Sequence, residues 1–157
     1  MKIRIAGITE DTIVDGPGLR QTVFVQGGPH RCYGCHNPGT HAIDGGQLMD
    51  TADIMARMDA NPLLVGLTLS GGEPFWQTRP CIDLAKAAHE RGLNVWCYTG
   101  YTLEEIRKYI DMRPLLEHID VLVDGPYIDS QRTLELPWRG SRNQRVIKMK
   151  EENTYDD

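Results

Sequence analysis

A chain of 157 residues is long enough for one compact core and short for two domains of ordinary size. With 40% hydrophobic and 25% charged residues it reads as a globular chain, neither disordered nor fibrous. A formal charge of -5 argues against whole-surface attraction to nucleic acid or an anionic membrane, no apolar run approaches the length of a membrane span, and Met1-Lys2-Ile3-Arg4-Ile5 lacks the features of an export signal. A cytoplasmic protein without nucleic-acid or membrane partners is therefore expected.

The first clear element is residues 19–26, a run of β-formers that stops at Gly27-Gly28-Pro29 and predicts a strand feeding a loop. Residues 49–58 carry apolar side chains at helical spacing, Asn61-Pro62 breaks them, and residues 63–70 read as a buried strand ending at Gly71-Gly72. The pattern repeats twice. Residues 80–91 predict a helix closed by Gly92, then 93–98 a strand ending at Gly100; residues 103–109 predict a helix, then 118–124 a strand ending at Gly125-Pro126. Such alternation implies an α/β fold with a mostly parallel sheet and right-handed crossovers. Too few units fit for an eight-fold barrel, which leaves a partial (β/α) barrel or an open sheet. A single domain over residues 1–150 is expected, followed by an acidic, aperiodic and mobile tail over 151–157.

In folds of this kind the loops at the carboxyl ends of the strands line the site. Here those loops hold the Cys32 region, Gly71-Gly72-Glu73-Pro74, Tyr98-Thr99-Gly100 and Asp124-Gly125-Pro126. The four cysteines, at 32, 35, 81 and 97, are too few for a secreted disulfide scaffold, and a close pair in a cytosolic chain points to metal or redox chemistry. Cys32 and Cys35 could form a dithiol pair, or half of a zinc site with His30 and His36. Redox pairs usually stand at a helix N-terminus and zinc knuckles draw ligands from a distant segment, and neither context is evident. Cys81 and Cys97 fit small core positions.

Three motifs in order, Asp15-Gly16-Pro17-Gly18-Leu19-Arg20, the loop ending Cys35-His36-Asn37-Pro38, and Ser70-Gly71-Gly72-Glu73-Pro74, resemble those of glycyl-radical activating enzymes, a group of radical S-adenosylmethionine enzymes. Tyr98-Thr99-Gly100-Tyr101, Val121-Leu122-Val123-Asp124-Gly125 and Trp138-Arg139-Gly140-Ser141-Arg142-Asn143-Gln144 are similar to the small branch that activates anaerobic ribonucleoside-triphosphate reductase. The alternative branch, the pyruvate formate-lyase activases, has much longer chains.

The resemblance implies a partial barrel of the radical S-adenosylmethionine type and a 4Fe-4S cluster held by three cysteines spaced Cys-x3-Cys-x2-Cys. S-adenosylmethionine would chelate the remaining iron, and its reductive cleavage would leave a glycyl radical on the reductase large subunit. A flavodoxin- or ferredoxin-type protein would donate the electron. Cys32 and Cys35 match two ligands, while the third position is Gly28, so a labile or absent cluster and an impaired enzyme are expected. A cluster-less module that binds S-adenosylmethionine or the reductase is the second reading. The resemblance further implies cofactor contacts at Tyr33, Gly34, Ser70, Gly71, Gly72, Glu73, Thr99 and Asp124, and substrate or partner contacts at Asp15, Gly16, Pro17, Gly18, Arg139 and Asn143. Each has a plain structural alternative: turns at Asp15 to Gly18 and at Gly71-Gly72, a cap at Asp124, and a satisfied loop network around Asn143. Arg20 reads as a surface ion-pair partner or as a support of the cluster loop.

Overall fold

The computed structural model describes residues 1–13, 15–29, 45–150 and 153–154. In chain order the elements are β1 (Lys2–Thr12), β2 (Arg20–Val25), β3 (Gln47–Asp50), α1 (Thr51–Ala60), β4 (Gly66–Gly71), α2 (Thr78–Glu90), β5 (Asn94–Tyr98), α3 (Leu103–Arg107), α4 (Arg113–Leu116), β6 (Val121–Asp124), β7 (Arg145–Lys148) and β8 (Asn153–Thr154). The eight strands form one sheet in the order β3-β1-β2-β4-β5-β6-β7-β8.

Only the middle of that sheet is parallel, through the pairings β2–β4, β4–β5 and β5–β6. The four flanking pairings are antiparallel, which corrects the expectation of a mostly parallel sheet. The reason is connectivity. Where α1, α2 or the α3–α4 pair lies between strands, a parallel crossover results; where only a loop lies between them, as from β1 to β2 and from β6 to β7, the chain returns antiparallel. With β3 and β8 at opposite ends of the order, the sheet is open rather than a closed barrel.

Alternation within the strands sends two sets of side chains to two faces. Val23, Val25, Leu67, Leu69, Val95, Cys97 and Leu122 meet Ile54, Met58, Leu84, Ala88, Ile106 and Leu115 in the larger core, beneath the helices. Trp96, Val121, Val123 and Val146 form a smaller cluster on the other face, joined by Tyr98 and Trp138. Local signals fix the helices. Asp50 caps α1 by accepting from the Ala52 amide, and Thr102 with Glu105 makes a reciprocal capping box at α3. Asn153–Thr154 adds β8 beside Ile147 and Lys148. None of the described helices is long and apolar enough to cross a membrane.

Candidate functional site

The exit of β2 and the exit of β4 are sewn together by their backbones. The Gly72 amide donates to the Val25 carbonyl at 2.9 Å, and the Glu73 amide to the Gly27 carbonyl at 2.8 Å. Gly28 lies buried against this seam with φ +153°, and a Cβ there would stand 2.8 Å from Glu73 Cβ and 3.1 Å from the Glu73 nitrogen. Gln77, to which the sequence assigned no role, staples the same corner. Its amide nitrogen donates to the carbonyls of Arg4 and Gln26 at 2.7 and 3.0 Å, and its oxygen accepts from the Arg4 amide at 2.8 Å.

Glu73 is wholly buried and carries the seam on to the exit of β5. One carboxylate oxygen accepts from the Thr99 hydroxyl and the Gly100 amide, both at 2.9 Å; the other accepts from the Phe75 amide at 3.0 Å and the Thr99 hydroxyl at 2.8 Å. Four donor contacts offset the cost of burying the carboxylate. Both oxygens are thus engaged in bracing the loops after β4 and β5, at a residue where the resemblance implied a cofactor contact. Ser70 and Gly71 close β4 directly beneath.

The next exit loop continues the line, for the Gly125 amide donates to the Tyr101 carbonyl at 2.7 Å. Asp124 is buried and points among the helices. It accepts from the Leu103 amide at 2.8 Å and pairs with Arg145, whose guanidinium also holds Glu104 at 2.6 Å. These partners hold Arg145 above its usual pKa and Glu104 below the usual carboxylate range. Asp124 is engaged as a cap and ion-pair partner, the structural alternative given for it beside a cofactor contact. Asn143 is occupied in the same sense: it donates to the Pro126 carbonyl at 2.7 Å and accepts from the Ser141 hydroxyl at 2.6 Å. Arg139 donates to the Gln144 carbonyl at 3.3 Å, closing the network in this loop.

The opposite face of the sheet carries a second group. Asp15-Gly16-Pro17-Gly18 lies across it just before β2, tied down by the Thr68 hydroxyl, which donates to the Asp15 carbonyl at 2.7 Å. The Asp15 carboxylate makes no hydrogen bond to another described residue, and burial raises its pKa against the opposing pull of Arg20. The Tyr98 hydroxyl is buried, without a hydrogen-bond partner among the described residues, and held well above its usual pKa by burial and the negative charge of Asp15. Arg20 is fully buried here, which corrects its reading as a surface residue. An arginine inside a run of β-formers was the signal.

Cys32, Cys35, Tyr33, Gly34, His30 and His36 lie outside the described residues. Cys81 and Cys97 are fully buried core thiols, and burial raises both well above the ordinary thiol value. Among the described residues no group of three or more metal-binding side chains gathers. Gly28 supplies no side-chain donor atom, and a Cβ there would require the seam at Glu73 to shift. The three-thiolate ligand set of the resemblance therefore does not fit this chain.

With this geometry in view, residues 14–147 match the profile of the 4Fe-4S single cluster domain family. Proteins named anaerobic ribonucleoside-triphosphate reductase-activating protein are similar over most of their length. The one from Haemophilus influenzae is 36% identical over 149 residues, covering 88% of this chain and 93% of the relative. That from Vibrio cholerae is 38% identical over 140 residues, covering 84% and 89%, and that from Enterobacteria phage T4 is 37% identical over 140 residues, covering 85% and 86%. The chain belongs to this family of iron-sulfur activating proteins.

Proposed function

We propose that this chain serves an anaerobic ribonucleoside-triphosphate reductase in the cytoplasm as an activating protein of the radical S-adenosylmethionine type, with the open sheet as its version of the partial barrel, and that Gly28 leaves its radical chemistry impaired. Support comes from the relatives' names together with one observation: the exits of β2, β4 and β5 are joined through Glu73 into a single rim of backbone groups. On this reading the rim, with Ser70, Gly71, Gly72, Thr99, Tyr33 and Gly34, receives S-adenosylmethionine. Glycines there let a ligand approach the backbone, and Glu73 fixes the spacing of the loops that hold it. The Asp15-Gly16-Pro17-Gly18 loop and Arg139 face the glycine-bearing segment of the reductase, and a flavodoxin- or ferredoxin-type protein is the electron donor.

Because Gly28 offers no ligand atom, the second reading is a module that binds S-adenosylmethionine or the reductase without a stable cluster. Anaerobic reconstitution with iron and sulfide, followed by metal analysis, electron paramagnetic resonance and assay of S-adenosylmethionine cleavage, separates the two. Impairment at position 28 requires low iron and little cleavage in the given chain and a gain of both in Gly28→Cys. Equal iron and equal cleavage in the two proteins would refute the role given to Gly28. Failure of both to retain the cognate reductase in a pull-down would remove the proposed partner.

A further inference from the structure

The two ends of the segment that carries Cys32 and Cys35 converge on one stretch of β1, Arg4 and Ile5. On the β2 side the Gln26 amide donates to the Arg4 carbonyl at 3.0 Å. On the β3 side Nη1 of Arg4 donates to the Gly45 carbonyl at 3.2 Å. Gly46 is packed into the same place at φ +70°, where a Cβ would overlap the Ile5 carbonyl and stand 3.0 Å from both Cγ and Oε1 of Gln26. The start and the end of the cysteine-bearing segment are thus held side by side.

Gln77 joins this base to the rim. Its primary amide engages both the N–H and the carbonyl of Arg4, as the peptide of a neighbouring strand would, and its other N–H goes to the Gln26 carbonyl. The short turn Pro74–Trp76 links Gln77 to Glu73, whose amide holds the next carbonyl, that of Gly27. Two successive carbonyls at the start of the segment are therefore gripped by the two ends of residues 73–77. Gln77 also stands at the N-terminus of α2, where a side chain ordinarily caps the first turn, yet it makes no capping bond there. Nor does α2 need it as an anchor, since Leu84, Ala85 and Ala88 already fix that helix in the core.

We propose that Gln77 is a positioning residue: it fastens the base of the cysteine-bearing segment to the Glu73 rim and so sets where that segment meets the loops after β4 and β5. The proposal rests on the function proposed above, in which S-adenosylmethionine is received at this rim. Gln77 keeps the Gln26 and Gly27 carbonyls at a fixed spacing from Gly72 and Glu73, while Arg4 keeps Gly45 beside them. A side chain without two N–H groups would leave the base tied to β1 alone.

The experiment uses the full chain with Gln77→Met, which keeps the bulk and loses all three bonds, and Arg4→Met, which releases Gly45 and leaves the Arg4 peptide on Gln77. S-adenosylmethionine is titrated calorimetrically, amide hydrogen exchange is followed at Gln26, Gly46 and Glu73, and thermal midpoints are recorded. Gln77→Met should speed exchange at Gln26 and Glu73 and weaken S-adenosylmethionine binding, each by about tenfold; Arg4→Met should speed exchange at Gly46 and weaken binding by about threefold. Leu67, Val95 and Leu122 should stay protected in both. Unchanged exchange at the base, or a loosened base with unchanged affinity, would overturn the proposal. So would acceleration spread evenly over β4 and β5 with a lowered midpoint, which would make Gln77 merely structural. If the unsubstituted chain binds no S-adenosylmethionine, the cofactor reading of the rim fails, and exchange at Gln26 and Glu73 alone decides whether Gln77 holds the base.

Discussion

The loops at the two ends of β2 are built on opposite plans. The entering loop is held by a side chain, Arg20, which reaches back to Pro17 and, through Thr68, to Asp15. The leaving loop is held by backbone, with Gly27 receiving the Glu73 amide and Gly28 pressed against the same residue. The difference teaches why the absent cysteine at position 28 need not disturb the fold. The exit seam draws its hydrogen bonds from peptide groups and from Glu73, none of which depends on a side chain at 28.

The sharpest way to break this contrast is Arg20→Ala. It empties a buried volume beneath Trp96 and strands the acceptors on Pro17, Leu67 and Asn94, so urea denaturation should show a loss of about 3–5 kcal/mol. A loss under 1 kcal/mol would mean that the entering loop does not hang on this side chain. Glu73→Gln tests the other loop. It replaces an acceptor with an amide donor facing Phe75, Thr99 and Gly100, at a cost of about 1–3 kcal/mol in the same measurement.

A smaller effect is expected from Gly28→Ala, because the seam must shift to admit a Cβ at positive φ; about 1–2 kcal/mol is expected. Unchanged stability would show that the exit loop yields freely and that Gly28→Cys carries no conformational cost. The smallest effect concerns pH. Burial lifts the Asp15 pKa above the ordinary aspartate value of 3.8, so between those two values the folded chain holds more protons than the unfolded one. Its contribution to stability falls as pH rises across that window and stays low above it. Asp15→Asn should therefore flatten that slope and slightly raise the thermal midpoint at neutral pH; a lowered midpoint there would mean that the carboxylate is stabilising.

The core strands were legible because β4, β5 and β6 are buried on both faces and read as apolar runs closed by glycine. β1 escaped the sequence reading, although Ile3 and Ile5 alternate with Lys2 and Arg4, because its second half is partly exposed and polar. Strands β3, β7 and β8 are short, with polar residues at their ends, and β3 and β7 pair with strands distant in sequence. At the site, the glycines and Glu73 could be placed on loops from local pattern alone. What Glu73 bonds to could not, because Thr99 and Gly100 are 26 and 27 residues away. Arg20 was misread for a like reason: its acceptors on Leu67, Thr68 and Asn94 become neighbours only once β2, β4 and β5 are in register.

Trp138 sits at φ +63°, a conformation that costs a bulky residue about 1–2 kcal/mol, and its ring meets Trp96 edge-on at 5.1 Å. Trp96 in turn lies under the guanidinium that secures the Asp15 loop, while Trp76 stands 44% exposed and bonded to the Tyr101 hydroxyl at 2.9 Å. The three indoles of this chain therefore form a natural optical gauge. Replacing Trp76 with phenylalanine would leave an emission dominated by the coupled pair, sensitive to whatever touches the face beside Asp15. Replacing Trp96 and Trp138 together would instead leave Trp76 as a half-exposed reporter beside Glu73, so each region can be read by its own light.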